Sequence, residues 1–84
     1  MYYNYVLYSL KDGGLYIGQT GHLIQRTKQH QLGKVTSTRS RRPFVLVYWE
    51  KVSSREQALK REREWKTSKG RRYLKERLKN RLLK

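Results

Sequence analysis

The chain has 84 residues, no cysteine and no apolar run long enough to cross a bilayer. This excludes a disulfide framework, a thiol nucleophile, a cysteine-based zinc site and a membrane-spanning helix. Twenty-one Lys and Arg against six Asp and Glu leave +15 at pH 7, a self-repelling charge that calls for a polyanionic partner, nucleic acid first.

Seven tyrosines and two tryptophans strengthen a thin apolar content of 36%. They fall in periodic runs, so a small core and one domain over residues 1–84 are expected rather than disorder. The N-terminus shows no secretory pattern, and a cytoplasmic location is expected.

Tyr2 to Leu10 alternates loosely and reads as a strand. Asp12-Gly13 between two β-prone runs signals a hairpin, with Leu15 to Gln19 as the return strand, so residues 2–19 form the first unit. A helix over 21–32 follows, starting at Thr20 or Gly21. Leu23, Arg26, Thr27 and His30 share one of its faces, and Gly33 stops it. Residues 34–43 form a basic loop with no acidic residue.

Phe44 to Glu50 sets Phe44, Leu46 and Tyr48 against Val45, Val47 and Trp49. Both rows are apolar or aromatic, so the strand over 44–50 is expected in the middle of the sheet, covered on both sides. Ser53 or Ser54 caps a helix over 54–67, with Glu56 and Gln57 placed for a capping box and a break by Gly70. A last helix over 71–83 carries Leu74, Leu78 and Leu82 at steps of four. The order is ββαβαα, an α+β fold with a small three-stranded antiparallel sheet flanked by helices. From Lys60 onward twelve Lys or Arg face three Glu, which makes this the most basic third of the chain.

A few residues stand apart from packing. Glu62, between Ala58 and Trp65 on one helix face, either balances the local Lys60, Arg61 and Arg63 charge or holds a hard divalent cation against phosphate. Arg26, beside Leu23, is either a phosphate-gripping guanidinium or a surface arginine lying along apolar neighbours. His30, one turn on, is a structural hydrogen-bonding residue or a base. Gly18 after Tyr16 permits close approach to the backbone, and surplus tyrosines can stack on exposed bases. Lys28, Lys34, Arg39, Arg41 and Arg42 in the first half are expected to meet nucleic-acid phosphates. Lys66, Lys69, Arg71 and Arg72 are expected to do the same in the second.

Tyr16-Ile17-Gly18 followed by Thr20, Leu23, Arg26 and His30 resembles the signature of the GIY-YIG nuclease superfamily. The likeness is to small stand-alone bacterial members related to the N-terminal nuclease domain of the excision-repair nuclease. The first family motif falls on Tyr3-Asn4-Tyr5 and keeps only its tyrosine. Ser54, Glu56, Ala58, Leu59, Lys60, Arg61, Glu62 and Lys66 resemble the family's acidic helix. The ordered likeness runs from residue 2 to 80 and takes in Thr38, Arg41, Arg42 and Pro43. His22, Gln25 and Thr27 depart from the usual first-helix residues. Lys69-Gly70-Arg71-Arg72-Tyr73 lacks the asparagine found there in the excision-repair relatives.

The resemblance implies a divalent-metal-dependent endonuclease that hydrolyses DNA phosphodiester bonds. Tyr16 would be the general base, Arg26 the grip on the scissile phosphate and Glu62 the anchor of one Mg²⁺ or Mn²⁺. Tyr5 would support the phosphate or water network, and His30 would orient the water or the tyrosine. The small size implies preference for DNA structure, such as nicked, branched, flapped or single-stranded forms, over base sequence. DNA repair is the implied setting. Two other readings stand beside it: a non-catalytic DNA- or RNA-binding protein on the same fold, and a partner of an acidic protein.

Overall fold

In the computed structural model the backbone is described for residues 1–82 and the side chains for residues 1–78. The hairpin forms from β1 (Tyr2–Ser9) and β2 (Leu15–Thr20), closed through Ser9 N–H to Gly14 O at 2.9 Å. Gly13 adopts φ +72°, the left-handed region that a side chain disfavours. Then come α1 (Leu23–Gln31), a 3₁₀ turn (Arg39–Arg41), β3 (Phe44–Val52), α2 (Arg55–Lys66) and α3 (Ser68–Leu82). The sheet is antiparallel throughout, in the order β2-β1-β3. The fold is the expected α+β class with three antiparallel strands and three helices.

The middle strand is β1, not the run 44–50. Asn4, Tyr5, Val6 and Leu7 are buried in succession, as a strand covered on both faces must be. The strand β3 lies at an edge, with Val45 43% and Trp49 51% exposed. Its two apolar rows have another cause. Leu7 pairs with Leu46 and Val6 with Tyr48, so Val47 is the extra residue of a β-bulge. The bulge reverses which face each later side chain takes. Phe44 and Leu46 join Tyr5, Leu7 and Leu23 on one face of the sheet. Tyr48 joins Val6, Ile17, Trp65, Leu74 and Leu78 on the other, so the row expected to hold Phe44, Leu46 and Tyr48 is split.

Helix α1 starts at Leu23 rather than at residue 21. Thr20 is still paired with Tyr3 in the sheet, and its hydroxyl accepts the His22 N–H at 3.1 Å. The helix ends in a Schellman motif: Gly33, φ +77°, donates to His30 O at 3.2 Å, and Lys34 N donates to Gln29 O at 3.0 Å. Ser54 Oγ caps α2 by accepting Gln57 N–H at 3.2 Å, while Gln57 Oε1 accepts the Ser53 N–H in return.

The break between the last two helices falls at Thr67, earlier than Gly70. Thr67 Oγ donates to Glu64 O at 2.8 Å and accepts Gly70 N–H at 3.0 Å, so one hydroxyl closes α2 and opens α3. Gly70 therefore sits in the first turn of α3, where a Cβ would collide with the Glu64 carbonyl oxygen and reach 2.8 Å from Trp65 Cα. Its role is close approach, not termination. Leu74 and Leu78 are buried against the sheet; the Leu82 side chain and a helix end at 83 lie outside the described residues. Among the described residues no helix is long and apolar enough to cross a membrane.

Replacing Gly70 with Ala should lower stability, because overpacking against backbone costs about 1–3 kcal/mol and outweighs a helix-propensity gain of about 1 kcal/mol. Urea unfolding of Gly70→Ala measures this; a midpoint at or above that of the parent would refute the close packing.

Candidate functional site

The site is built on the Tyr5–Gly18 pair, where the central strand faces an edge strand. The Tyr5 ring lies across Gly18 so closely that a Cβ there would stand 2.6 Å from both Cζ and the hydroxyl oxygen. With the glycine in place, Tyr5 is buried yet its hydroxyl reaches α1, where it meets His30 Nε2 at 2.9 Å. His30 is itself fully buried, and its Nδ1 lies 2.8 Å from Thr38 Oγ in the loop before β3. Thr38, also buried, donates onward to Val35 O at 3.4 Å. Tyr16 closes the cluster, with its ring centroid 5.0 Å from that of His30 and 6.4 Å from that of Tyr5.

Burial pushes the Tyr5 phenol up to about 12; hydrogen bonding to Arg26 and its charge oppose the rise, and nearby Tyr16 and Glu62 add to it. Burial, helped by the Arg26 charge, holds His30 down at about 4. At neutral pH Tyr5 is therefore a protonated donor and His30 a neutral imidazole with one N–H. With the Thr38 hydroxyl hydrogen directed at Val35 O, Nδ1–H donates to Thr38 Oγ and the Nε2 lone pair accepts the Tyr5 hydroxyl. A directed line results, from Tyr5 through His30 and Thr38 to the Val35 carbonyl. Arg26 is further held by its own Nη1 donating to Gln29 Oε1 at 3.2 Å, one turn along α1.

Glu62 comes from α2, which packs on β1 and β2. Its side chain is 21% exposed, and its carboxylate pairs with Lys66 Nζ at 3.3 Å and lies within electrostatic reach of the Tyr5 hydroxyl. Other acids are engaged elsewhere: Asp12 with Arg41 at 2.7 Å, Glu50 with Arg61 at 3.0 Å, and Glu64 with Arg61 at 3.2 Å. Among the described residues no three His, Cys, Asp or Glu converge to hold a metal. A single, partly open carboxylate nevertheless fits Mg²⁺ or Mn²⁺, since small hard cations take one or two carboxylates and draw the remaining oxygens from water and phosphate.

The structure thus brings Tyr5, Tyr16, Arg26 and His30 together, while Glu62 on α2 acts on Tyr5 only electrostatically and is paired with Lys66. The basic residues divide. Lys28 and Lys34 are exposed, and Arg39 and Arg42 are exposed but tethered through Gly33 O and Arg39 O, beside a 630 Å³ depression that Lys11 also lines. Arg41 is held by Asp12 and lies over the Phe44 ring at 5.7 Å, which makes it a structural cation. Lys69, Arg71 and Arg72 are exposed at the α2–α3 corner, and Lys66 is the partner of Glu62.

The family likeness takes in Thr38, but the sequence pattern assigns no role to it or to Gln29. Thr38 is one of several hydroxyls in residues 36–40, and nothing local marks the one that turns inward. Gln29 had a weak signal, its place three residues after Arg26 on the helix.

A family model for the GIY-YIG catalytic domain matches residues 1–79. A UPF0213 protein of Staphylococcus haemolyticus is 43% identical over 67 residues, which cover 79% of this chain and 80% of that protein. One from Bacillus pumilus is 40% identical over 68 residues, covering 77% and 69%. The solution NMR structure of a UPF0213 protein from Bacillus halodurans matches with a TM-score of 0.54 and 37% identity, covering 88% of this chain and 82% of that one. These relatives' names state no activity.

Two outcomes follow from the buried pair. Unfolded His30 protonates near its ordinary 6.5 and the folded residue near 4, so stability is full above that upper value and falls as pH drops toward 4. Urea melts between those limits should show the loss, and His30→Gln should flatten it. Gly18→Ala should displace the Tyr5 ring and break the 2.9 Å contact with His30, a loss of about 1–3 kcal/mol from overpacking. Tyrosine hydroxyl signals in NMR and a thermal melt would register it.

Proposed function

The chain belongs to the GIY-YIG catalytic-domain family, a nuclease superfamily, and on that footing we propose that it is a divalent-metal-dependent endonuclease that hydrolyses DNA. The observation that carries this reading is the convergence of Tyr16, Arg26 and the Tyr5–His30 pair, with the Glu62 carboxylate of α2 within electrostatic reach of Tyr5.

Hydrolysis joins a water oxygen to phosphorus while the bond to the leaving nucleotide oxygen breaks. The guanidinium of Arg26 binds the phosphate through parallel N–H donors, and its contact with Gln29 fixes the direction of approach. Tyr16, acting as its phenolate or passing its own hydroxyl proton to solvent, would receive the water proton, because Tyr5 is kept protonated by burial and is engaged with His30. His30, neutral and locked in one tautomer by Thr38, is a positioning residue that holds the Tyr5 hydroxyl in place. Glu62 would hold the Mg²⁺ or Mn²⁺, which when bound supplies charge neutralisation at the phosphate and help for the leaving oxygen. Before that, Glu62 must release Lys66.

The exposed cations of α1, the loop and the α2–α3 corner grip phosphates and carry no base-sequence information. Preference therefore rests on DNA form: nicked, branched, flapped or single-stranded. A cytoplasmic location and a role in DNA repair belong to the same reading, through the kinship with excision-repair nuclease domains. The alternative, a non-catalytic DNA- or RNA-binding protein, is favoured by one observation: the Glu62 carboxylate already has a cation in Lys66.

The deciding experiment incubates the protein with Mg²⁺ or Mn²⁺ and DNA of each form, beside a chelator control. Cleavage should require metal, and Tyr16→Phe and Glu62→Gln should each lower its rate by about a hundredfold or more. Salt-sensitive binding without cleavage, strengthened in Glu62→Gln by the lost negative charge, would select the binding protein instead.

A further inference from the structure

Aromatic and aliphatic side chains stay in solvent on one flank of α1. Trp49 is 51% and Ile24 73% exposed, although each carries surface that water disfavours. They line the same groove, a 780 Å³ cleft between α1 and β3, together with Tyr3, Leu23, Lys28 and Leu46. The Trp49 indole is propped by an edge contact from Tyr3, centroid to centroid 5.9 Å. A rigid aromatic is thus held in position with about half of its surface open to solvent. No acidic residue lines the cleft, and Lys28 and His22 stand at its wall.

We propose that this groove is a stacking site for an unpaired nucleobase, which makes a single-stranded DNA segment the substrate class; the inference rests on the nuclease reading and narrows it. Position supports the assignment. Trp49 is the direct cross-strand partner of Tyr5, so the base platform and the reacting cluster share one rung of the sheet. Helix α1 lines both the groove and a second depression that holds Arg26, with His22 and Gln25 common to the two. It presents Ile24 and Lys28 to the groove and Arg26 and His30 to the cluster. A strand crossing α1 places a base on Trp49 and a nearby phosphate at Arg26.

Charge selects the occupant. A second copy of this chain would set one chain of net +15 against another, whereas a single strand brings phosphates to Lys28 and a π-face to Trp49. A duplex satisfies only the first requirement, because its base faces are hidden in the stack.

The test uses the whole chain in chelator, so that binding is read without cleavage. Trp65 is 2% exposed, so the water-exposed tryptophan emission belongs to Trp49. Titration with a short oligothymidylate should quench that emission, and Trp49→Ala should weaken single-strand affinity about tenfold with duplex affinity unchanged. Trp49→Phe should keep the affinity, and circular dichroism should show all three proteins folded. Single-strand binding that leaves the indole emission untouched and is equal in Trp49→Ala would overturn the groove and leave the nuclease reading standing. A self-association abolished by Trp49→Ala, with oligothymidylate affinity intact, would assign the groove to a second copy and likewise overturn it. Quenching and weakened binding in a protein that cleaves nothing with metal would keep the groove and overturn the nuclease.

Discussion

The contact on which the rest of this molecule depends is the crossing of the Tyr5 ring over Gly18. The central strand must bury both of its faces, yet the site needs a hydroxyl delivered from that strand to α1. A tyrosine can do both, because its ring packs as a hydrophobe while its oxygen requires a partner. Only a glycine on the neighbouring strand leaves the ring room to lie flat enough to reach His30. One pair of residues therefore ties β1, β2, α1 and the loop bearing Thr38 into a single object. The cluster is as rigid as the core because it is part of the core.

Electrostatics follow from the same burial. A histidine in the middle of a chain with +15 net charge would be poorly placed to accept a proton even in solvent. Enclosed beside Arg26, it is held neutral, and neutrality gives its two nitrogens different roles. One donates to Thr38 and the other accepts from Tyr5. The positive excess elsewhere is organised by the few acids. Asp12 fixes Arg41 at the hairpin, and Glu50 fixes Arg61 between β3 and α2, with Tyr48 also donating to the carboxylate at 2.8 Å. Among the described residues Lys28, Lys34, Lys69, Arg71 and Arg72 stay at the surface, where a polyanion can reach them.

The hairpin, the α1 stop and the α2 cap are legible in the sequence because each is settled within a few residues: Asp12-Gly13, Gly33, Ser54 with Gln57. The α2–α3 corner is not, for a related reason. Gly70 looks like a helix breaker in one dimension, but its lack of a side chain answers to a backbone five and six residues earlier. Thr67, which makes the turn, is an ordinary threonine until both helices exist. Among the candidate site residues, spacing marks Arg26 and His30 as sharing a helix face, and the family resemblance marks Tyr16, Tyr5 and Glu62. Thr38 is invisible as a partner of His30 because a loop of hydroxyls has no period from which to infer which one points inward.

The least legible feature is the bulge at Val47, and it is the one with the widest reach. Strict alternation through β3 would have kept Phe44, Leu46 and Tyr48 on one side and sent Trp49 to the other. The extra residue instead turns Tyr48 toward Trp65 and Trp49 toward α1. The edge position of β3 then becomes intelligible. A strand buried on both faces would have no room for an open indole, whereas an edge strand can fill the core with one part of its length and display the other. The two apolar rows that suggest a central strand are, in these terms, two tasks divided by one inserted residue: packing before the bulge, and after it a tyrosine for the core and a tryptophan beside the Tyr5 cluster.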